Sequence, residues 1–249
     1  MQRIHSLIIG GTSGIGSVLV KTLAEENHLL SVIGLQLPNT EDQLSPNIHY
    51  WPVNLLDCND LVKVLREIIR QRGKINNLIF SLRYRGDEDD WQNEIQLILT
   101  TTKNIIENMI NEFKGQGSIV VINSKASHLV AAEQPLSYHV TRAGLAQIVR
   151  YYACILGEKN IRVNSVSPGT VLKAESKVFY ETNNQLYNLY KRITPLGRMG
   201  TSEDVANVVS FLCSAKASFI TSQDIVVDGG LSAQLHETMA NEVSAIVSK

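Results

Sequence analysis

Long apolar runs are missing from these 249 residues. Segments such as Ser6-Leu-Ile-Ile9 fall far short of the ~20 residues a membrane helix needs. The N-terminus also lacks the separate basic, apolar and cleavage regions of a signal peptide, so the expectation is a soluble, unprocessed chain with no membrane partner. Cysteine is scarce: Cys58, Cys154 and Cys213 lie far apart with no CxxC pair. That argues against structural zinc and against a disulfide-built secreted domain, and it fits a reducing cytoplasm. His5, His28, His49, His128, His139 and His236 form no HxxxH or HxxE pattern, so no metal site is expected. Charge of one sign is lacking too. Twenty-three Lys and Arg face 24 Asp and Glu, a net charge of −1, which gives no overall basic field to recruit nucleic acid.

What is present is length and a 44% hydrophobic content, enough to bury a sizeable core. Runs rich in Ile, Val and Leu recur at Ile4 to Ile9, Leu29 to Leu35, Ile48 to Val53, Leu78 to Leu82, Ile119 to Ile122, Ile161 to Val166 and Ile225 to Val227. These predict seven strands buried on both faces. Between them lie segments of helical period, such as Ile15 to Leu23 and Leu61 to Ile69. The alternation predicts an α/β fold: a mostly parallel sheet of seven strands with helices on both faces, binding ligands at the carboxyl ends of its strands. Pro38 to Pro46 is too short a loop to separate domains, and no repeat is evident, so residues 1–249 are read as a single domain. The acidic run Asp87 to Asp90 precedes the helical stretch from Trp91 and reads as a solvated cap.

The first strand runs into Gly10-Gly-Thr-Ser-Gly14-Ile-Gly16 and then a helix. Glycines at this spacing permit a tight turn at Gly10, close approach of a diphosphate at Gly14, and helix-on-strand packing at Gly16. The helix N-terminus adds free N–H groups for the anion. A Gly-rich turn without a ligand is the alternative reading of the same residues.

Together with this loop, Ser124 followed by Tyr138, Asn164-Ser-Val-Ser-Pro168-Gly169, Pro195-Leu-Gly-Arg198 and Asp228-Gly-Gly230 come in the order and spacing of the short-chain dehydrogenase/reductase family. The resemblance covers roughly residues 3 to 232 and implies a Rossmann-like fold, hydride transfer between NAD(P) and a carbonyl or alcohol, and a homodimer or homotetramer. It assigns Gly10, Thr12, Ser13, Gly14, Ile15, Gly16, Gln36, Asn54, Leu55, Pro168 and Gly169 to the cofactor, and Ser124 and Tyr138 to catalysis. Where the family has Lys four residues after the tyrosine, this chain has Arg142, which keeps the charge but is a poor link in a proton relay. Ile98 aligns with the family's active-site Asn, and Phe80-Ser81-Leu82-Arg83 with its Asn-Asn-Ala-Gly. Asn54 stands where an acid often touches adenine. Gln36, twenty residues past Gly16, has no carboxylate to repel a 2′-phosphate, so NADP is favoured over NAD.

Arg83 and Arg85 are expected either to bind an anionic group on a small-molecule substrate or to be solvated surface residues. Residues 170–199 align with the family's variable substrate loop, where Phe179, Tyr180, Tyr187 and Tyr190 wall a pocket or pack a core. The tail from residue 232, with Leu235, Met239, Val243 and Val247 at four-residue spacing, is expected to dock on a neighbouring subunit or to fray. The leading function is a biosynthetic NAD(P)-dependent oxidoreductase. Its alternatives are a non-catalytic protein of the same fold kept for binding, regulation or assembly, and a lyase or isomerase that uses Tyr138.

Overall fold

Every one of the seven apolar runs becomes a strand of one parallel sheet in the computed structural model, which describes residues 3–38, 45–86 and 90–247. The strands are β1 (His5–Ile9), β2 (Leu29–Gly34), β3 (Ile48–Pro52), β4 (Ile75–Phe80), β5 (Phe113–Ile122), β6 (Ile161–Pro168) and, after the two short strands β7 (Val171–Leu172) and β8 (Gly200–Thr201), β9 (Asp224–Val227). Their order is β3-β2-β1-β4-β5-β6-β9. Three details differ from the sequence reading. β4 starts and ends earlier than Leu78 to Leu82, β5 begins at Phe113, and β3 and β9 are only partly buried. The last difference follows from their position, since an edge strand is covered less completely than a central one.

Successive residues of a strand point to opposite faces, so β1 feeds both layers. Leu7 and Ile9 join Phe80, Leu61, Leu65 and Val149 on one side, while Ile8 joins Val32, Leu19, Ile79 and Val209 on the other. The first layer is made by α2 (Cys58–Arg72), a broken helix formed of α3 (Trp91–Ile95), a π turn (Gln96–Thr100) and α4 (Thr101–Met109), and α5 (Leu136–Leu156). The second is made by α1 (Gly14–Glu25) and α8 (Ser202–Cys213). Asp57 caps α2 by accepting from the N–H groups of Asn59 and Asp60, and Asp90 caps α3 through Asn93; the rest of the acidic run, 87–89, lies outside the described residues. The π turn is held by Thr101, whose hydroxyl donates to the carbonyls of Leu55 (3.0 Å) and Gln96 (2.9 Å).

The two-stranded sheet of β7 and β8 clamps the base of the variable loop, which folds into α6 (Ala174–Thr182) and α7 (Asn184–Ile193). The tail forms α9 (His236–Val247). Arg192 of α7 donates to Glu242 (2.6 Å), and Gln234 to the carbonyl of Ile193 (2.6 Å). The tail therefore packs on the variable loop of its own chain, because that loop offers both a cation and an open helix end within reach. All three cysteines are free, with Cys154 exposed on α5.

Candidate active site

Strand order reverses between β1 and β4, the point where a crevice opens at the carboxyl ends of such a sheet. The glycine loop lies there. Gly10 has φ +84°, and a Cβ on it would meet the Ser81 carbonyl at 2.4 Å; a Cβ on Gly16 would meet the Gly10 carbonyl at 2.1 Å. Both positions are thus closed to any side chain. Gly14 differs: its φ is +57°, and a Cβ there would meet only Glu175 Oε1 at 3.6 Å and an Arg85 nitrogen at 4.0 Å. Its backbone needs the left-handed region, while its outer side faces the crevice. The first turn of α1 has no side-chain cap from Ser13 and no acidic residue, which leaves its N–H groups for an anion. Loop and helix start together fit a dinucleotide diphosphate.

Above this loop stand cations from two elements. Arg83 and Arg85, on the segment after β4, lie near Lys173, which leads into α6. Burial lowers the Lys173 pKa, Arg83 and Arg85 lower it further, and Glu175 opposes them. Lys173 was not evident in the sequence, where one lysine in a variable loop carries no signal. Arg83, Arg85 and Tyr138 line one cavity of about 360 Å³ together with Gln134, Pro135 and Glu94, within the size range of small-molecule sites.

Tyr138 lies in the first turn of α5 and Arg142 one turn later on the same face. The Arg142 guanidinium carbon sits 4.8 Å from the centre of the Tyr138 ring, a cation held against the phenol's face. Arg142 is 2% exposed. One of its terminal nitrogens donates to the Leu82 carbonyl (3.2 Å), while its Nε is buried without a partner. Burial pushes its pKa below the usual arginine range; Tyr138 and Glu94 pull it back up, and Arg83 pushes it further down. The guanidinium stays protonated all the same.

Glu94 was missed by sequence reasoning, since a glutamate in a helix reads as surface. Its position is 4% exposed, and its carboxylate accepts from the hydroxyls of Ser137 (2.7 Å) and Thr141 (3.4 Å). Ile98 is fully buried in the core, so no polar group occupies that place. Ser124 heads the short turn Lys125–Ser127, which packs against α5, and its Oγ accepts from the Ala126 N–H (3.2 Å). Just before it, both polar atoms of the Asn123 amide are buried without a protein partner, a rare condition in native structures.

The remaining candidates lie farther along the crevice. Gln36 and Asn54 are exposed after β2 and β3, and Leu55 is buried; Asn54 Oδ1 accepts from the Leu56 N–H (3.1 Å). Thr12 packs against Gly34, where a Cβ would meet its side chain at 2.5 Å. Pro168 ends β6, and Gly169 abuts Asp228, whose Cβ would meet one placed on it at 2.6 Å. The aromatics of the variable loop contact one another, Tyr180 edge-on to both Phe179 and Tyr190, and do not line the cavity at Tyr138.

Comparison with known proteins gives consistent results. A family model described as enoyl-(acyl carrier protein) reductase matches residues 10–232. The 3-oxoacyl-(acyl-carrier-protein) reductase FabG of Aquifex aeolicus is 30% identical over 247 residues, spanning 93% of this chain and 98% of that protein. A short-chain dehydrogenase of Leptospira borgpetersenii solved with bound NAD+ superposes with a TM-score of 0.78 at 24% identity, covering 93% of this chain and 94% of that one. ElxO, solved with NADPH bound, gives 0.79 at 20% identity, covering 94% and 100%.

Proposed function

Because the chain belongs to the short-chain dehydrogenase/reductase family, we propose that it interconverts a carbonyl and an alcohol in a biosynthetic pathway, using a nicotinamide cofactor. The observation that carries this reading is the Tyr138 ring lying over the buried Arg142 guanidinium at the mouth of a cavity beside the glycine loop. Thr12, Ser13, Gly14, Ile15 and Gly16 would hold the diphosphate. Gln36, Asn54 and Leu55 would hold the adenosine end, and Pro168 and Gly169 the other. The cofactor supplies or accepts the hydride. Gly10 shapes the loop that would receive the diphosphate. Gln36, lacking a carboxylate, favours NADP.

The chain's own residues handle the proton. Ser124 donates a hydrogen bond to the substrate oxygen, and Tyr138 exchanges a proton with it. Arg142 places a fixed positive charge against the ring, an electrostatic role in that exchange that needs no proton release of its own. Arg83 and Arg85 hold an anionic group of the substrate, helped by Lys173. The protein acts in the cytoplasm as a homo-oligomer.

The test is NADPH oxidation, and NADP+ reduction, over a panel of ketones, alcohols and 3-oxoacyl thioesters. Tyr138→Phe is expected to cost about 10² to 10⁴-fold, the usual loss of a general acid. Arg142→Met should do nearly as much harm, and Arg142→Lys should keep or raise the rate. A second reading, a fold kept for binding alone, is favoured by one observation: Ile98 is sealed in the core where the family carries a polar group. Silence from wild type and Arg142→Lys across the panel, with cofactor bound to both, would establish that reading instead.

A further inference from the structure

We propose that Glu94 is a positioning residue: its buried carboxylate is the counter-charge that keeps the Arg142 side chain folded beneath Tyr138. Three observations meet here. Arg142 is an almost wholly buried cation whose polar partners are the Leu82 carbonyl and the Tyr138 side chain, neither of them an acid. A buried ion that lacks a compensating charge is costly, and a side chain as long as arginine escapes to water when it can. Glu94 is the buried acid of the same region, and its attraction to Arg142 is among the forces on the guanidinium. Glu94 is itself fixed by hydroxyls one helical turn apart on α5, Ser137 and Thr141. These flank Tyr138 in the chain, so one carboxylate ties α3 to the part of α5 that carries both Tyr138 and Arg142.

This inference rests on Tyr138 as the proton-exchanging group, yet its test uses neither substrate nor cofactor. The charged and titratable groups facing the phenol are Arg142 and the neighbouring His139 on α5, Glu94 on α3, and Arg83 and Arg85 after β4. His139 is tied to its own turn, between the Ala131 N–H and the Pro135 carbonyl. Chain labelled with [13Cζ]tyrosine gives the Tyr138 signal by comparison with Tyr138→Phe, and its pH midpoint is read in each variant. Arg142→Met should raise the midpoint by about 1 to 3 units, the usual effect of losing an opposite charge at this range. For Glu94→Gln the two possible roles give opposite signs. If Glu94 acts on the phenol only through its own field, removing a negative charge lowers the midpoint. If it holds Arg142 in place, the guanidinium swings out and the midpoint rises, as in Arg142→Met.

A rise supports the proposal, and a fall or no change overturns it. Should Glu94→Gln fail to fold, the melting temperature of Glu94→Ile/Arg142→Met decides. Removing both charges together should restore part of what Arg142→Met loses alone, whereas a double variant that melts at or below that single would sink the idea. An unchanged NADPH oxidation panel bears on the proposed reaction and leaves both readouts standing.

Discussion

Gly14 is the one loop glycine whose replacement separates binding from folding. Gly10 and Gly16 are walled in by backbone, so a methyl group at Gly16 must displace the Gly10 carbonyl and should destabilise the protein outright. At Gly14 the neighbours are the ends of two flexible side chains, and aspartate tolerates the left-handed region better than most residues. Gly14→Asp is therefore expected to fold with a modestly lowered melting temperature, from the strain of its positive φ, while losing NADPH affinity by at least about 100-fold, because a carboxylate at the helix start repels the diphosphate. Fluorescence titration with NADPH checks this, and unchanged affinity in a folded variant would remove the diphosphate from this loop. The three glycines were legible in the sequence because their spacing is local and their constraint is steric. Glu94 was illegible for the converse reason: its burial is decided by Ser137 and Thr141, more than forty residues away in the chain.

At the scale of elements, apolar runs mark the central strands well because burial on both faces leaves no room for alternation. They mark strand ends poorly, and β4 shows why: Leu82 is buried beneath Arg142 after the ladder has ended. At the opposite ends of these strands lies a buried polar knot that no motif announces. Asn77 donates to Ser6 Oγ (2.9 Å), Ser6 Oγ bonds His28 Nδ1 (2.9 Å), and the His5 ring bridges Ser31 Oγ (2.9 Å) and the Gly73 carbonyl (3.0 Å). Burial is the main cause lowering the pKa of both histidines below the ordinary value. The unfolded chain then binds protons that the folded chain resists, so stability is full above about pH 6.5 and falls as pH drops below it. Melting temperatures from pH 8 to 5 should show this decline, and His5→Gln, which keeps donor and acceptor capacity without the titration, should lessen it and leave the share that belongs to His28. An equal decline in that variant would assign the pH dependence elsewhere.

At the scale of the whole molecule, two of the surfaces formed by the described residues carry clustered exposed apolar side chains. One is the outer face of α5, with Leu136, Val140, Tyr151 and Ile155; the other, around α8 and β9, presents Phe211, Phe219 and Val226. Phe219 is fully exposed, a poor arrangement for an isolated monomer. Light scattering after gel filtration is expected to give a dimer or tetramer, and Phe219→Asp or Ile155→Asp to reduce it; a wild-type monomer at every concentration would refute the expectation. Helix α5 offers one more use. It carries Tyr138 at one end and the exposed Cys154 sixteen residues on, about 24 Å along a rigid rod at 1.5 Å per residue. Cys58 and Cys213, by contrast, are only partly exposed, and burial lifts the Cys213 thiol to about 12. A maleimide acceptor dye directed to Cys154 would therefore sit within energy-transfer range of the reduced nicotinamide that the proposed function puts beside Tyr138. The helix becomes a molecular ruler, able to report occupancy of the crevice without any turnover.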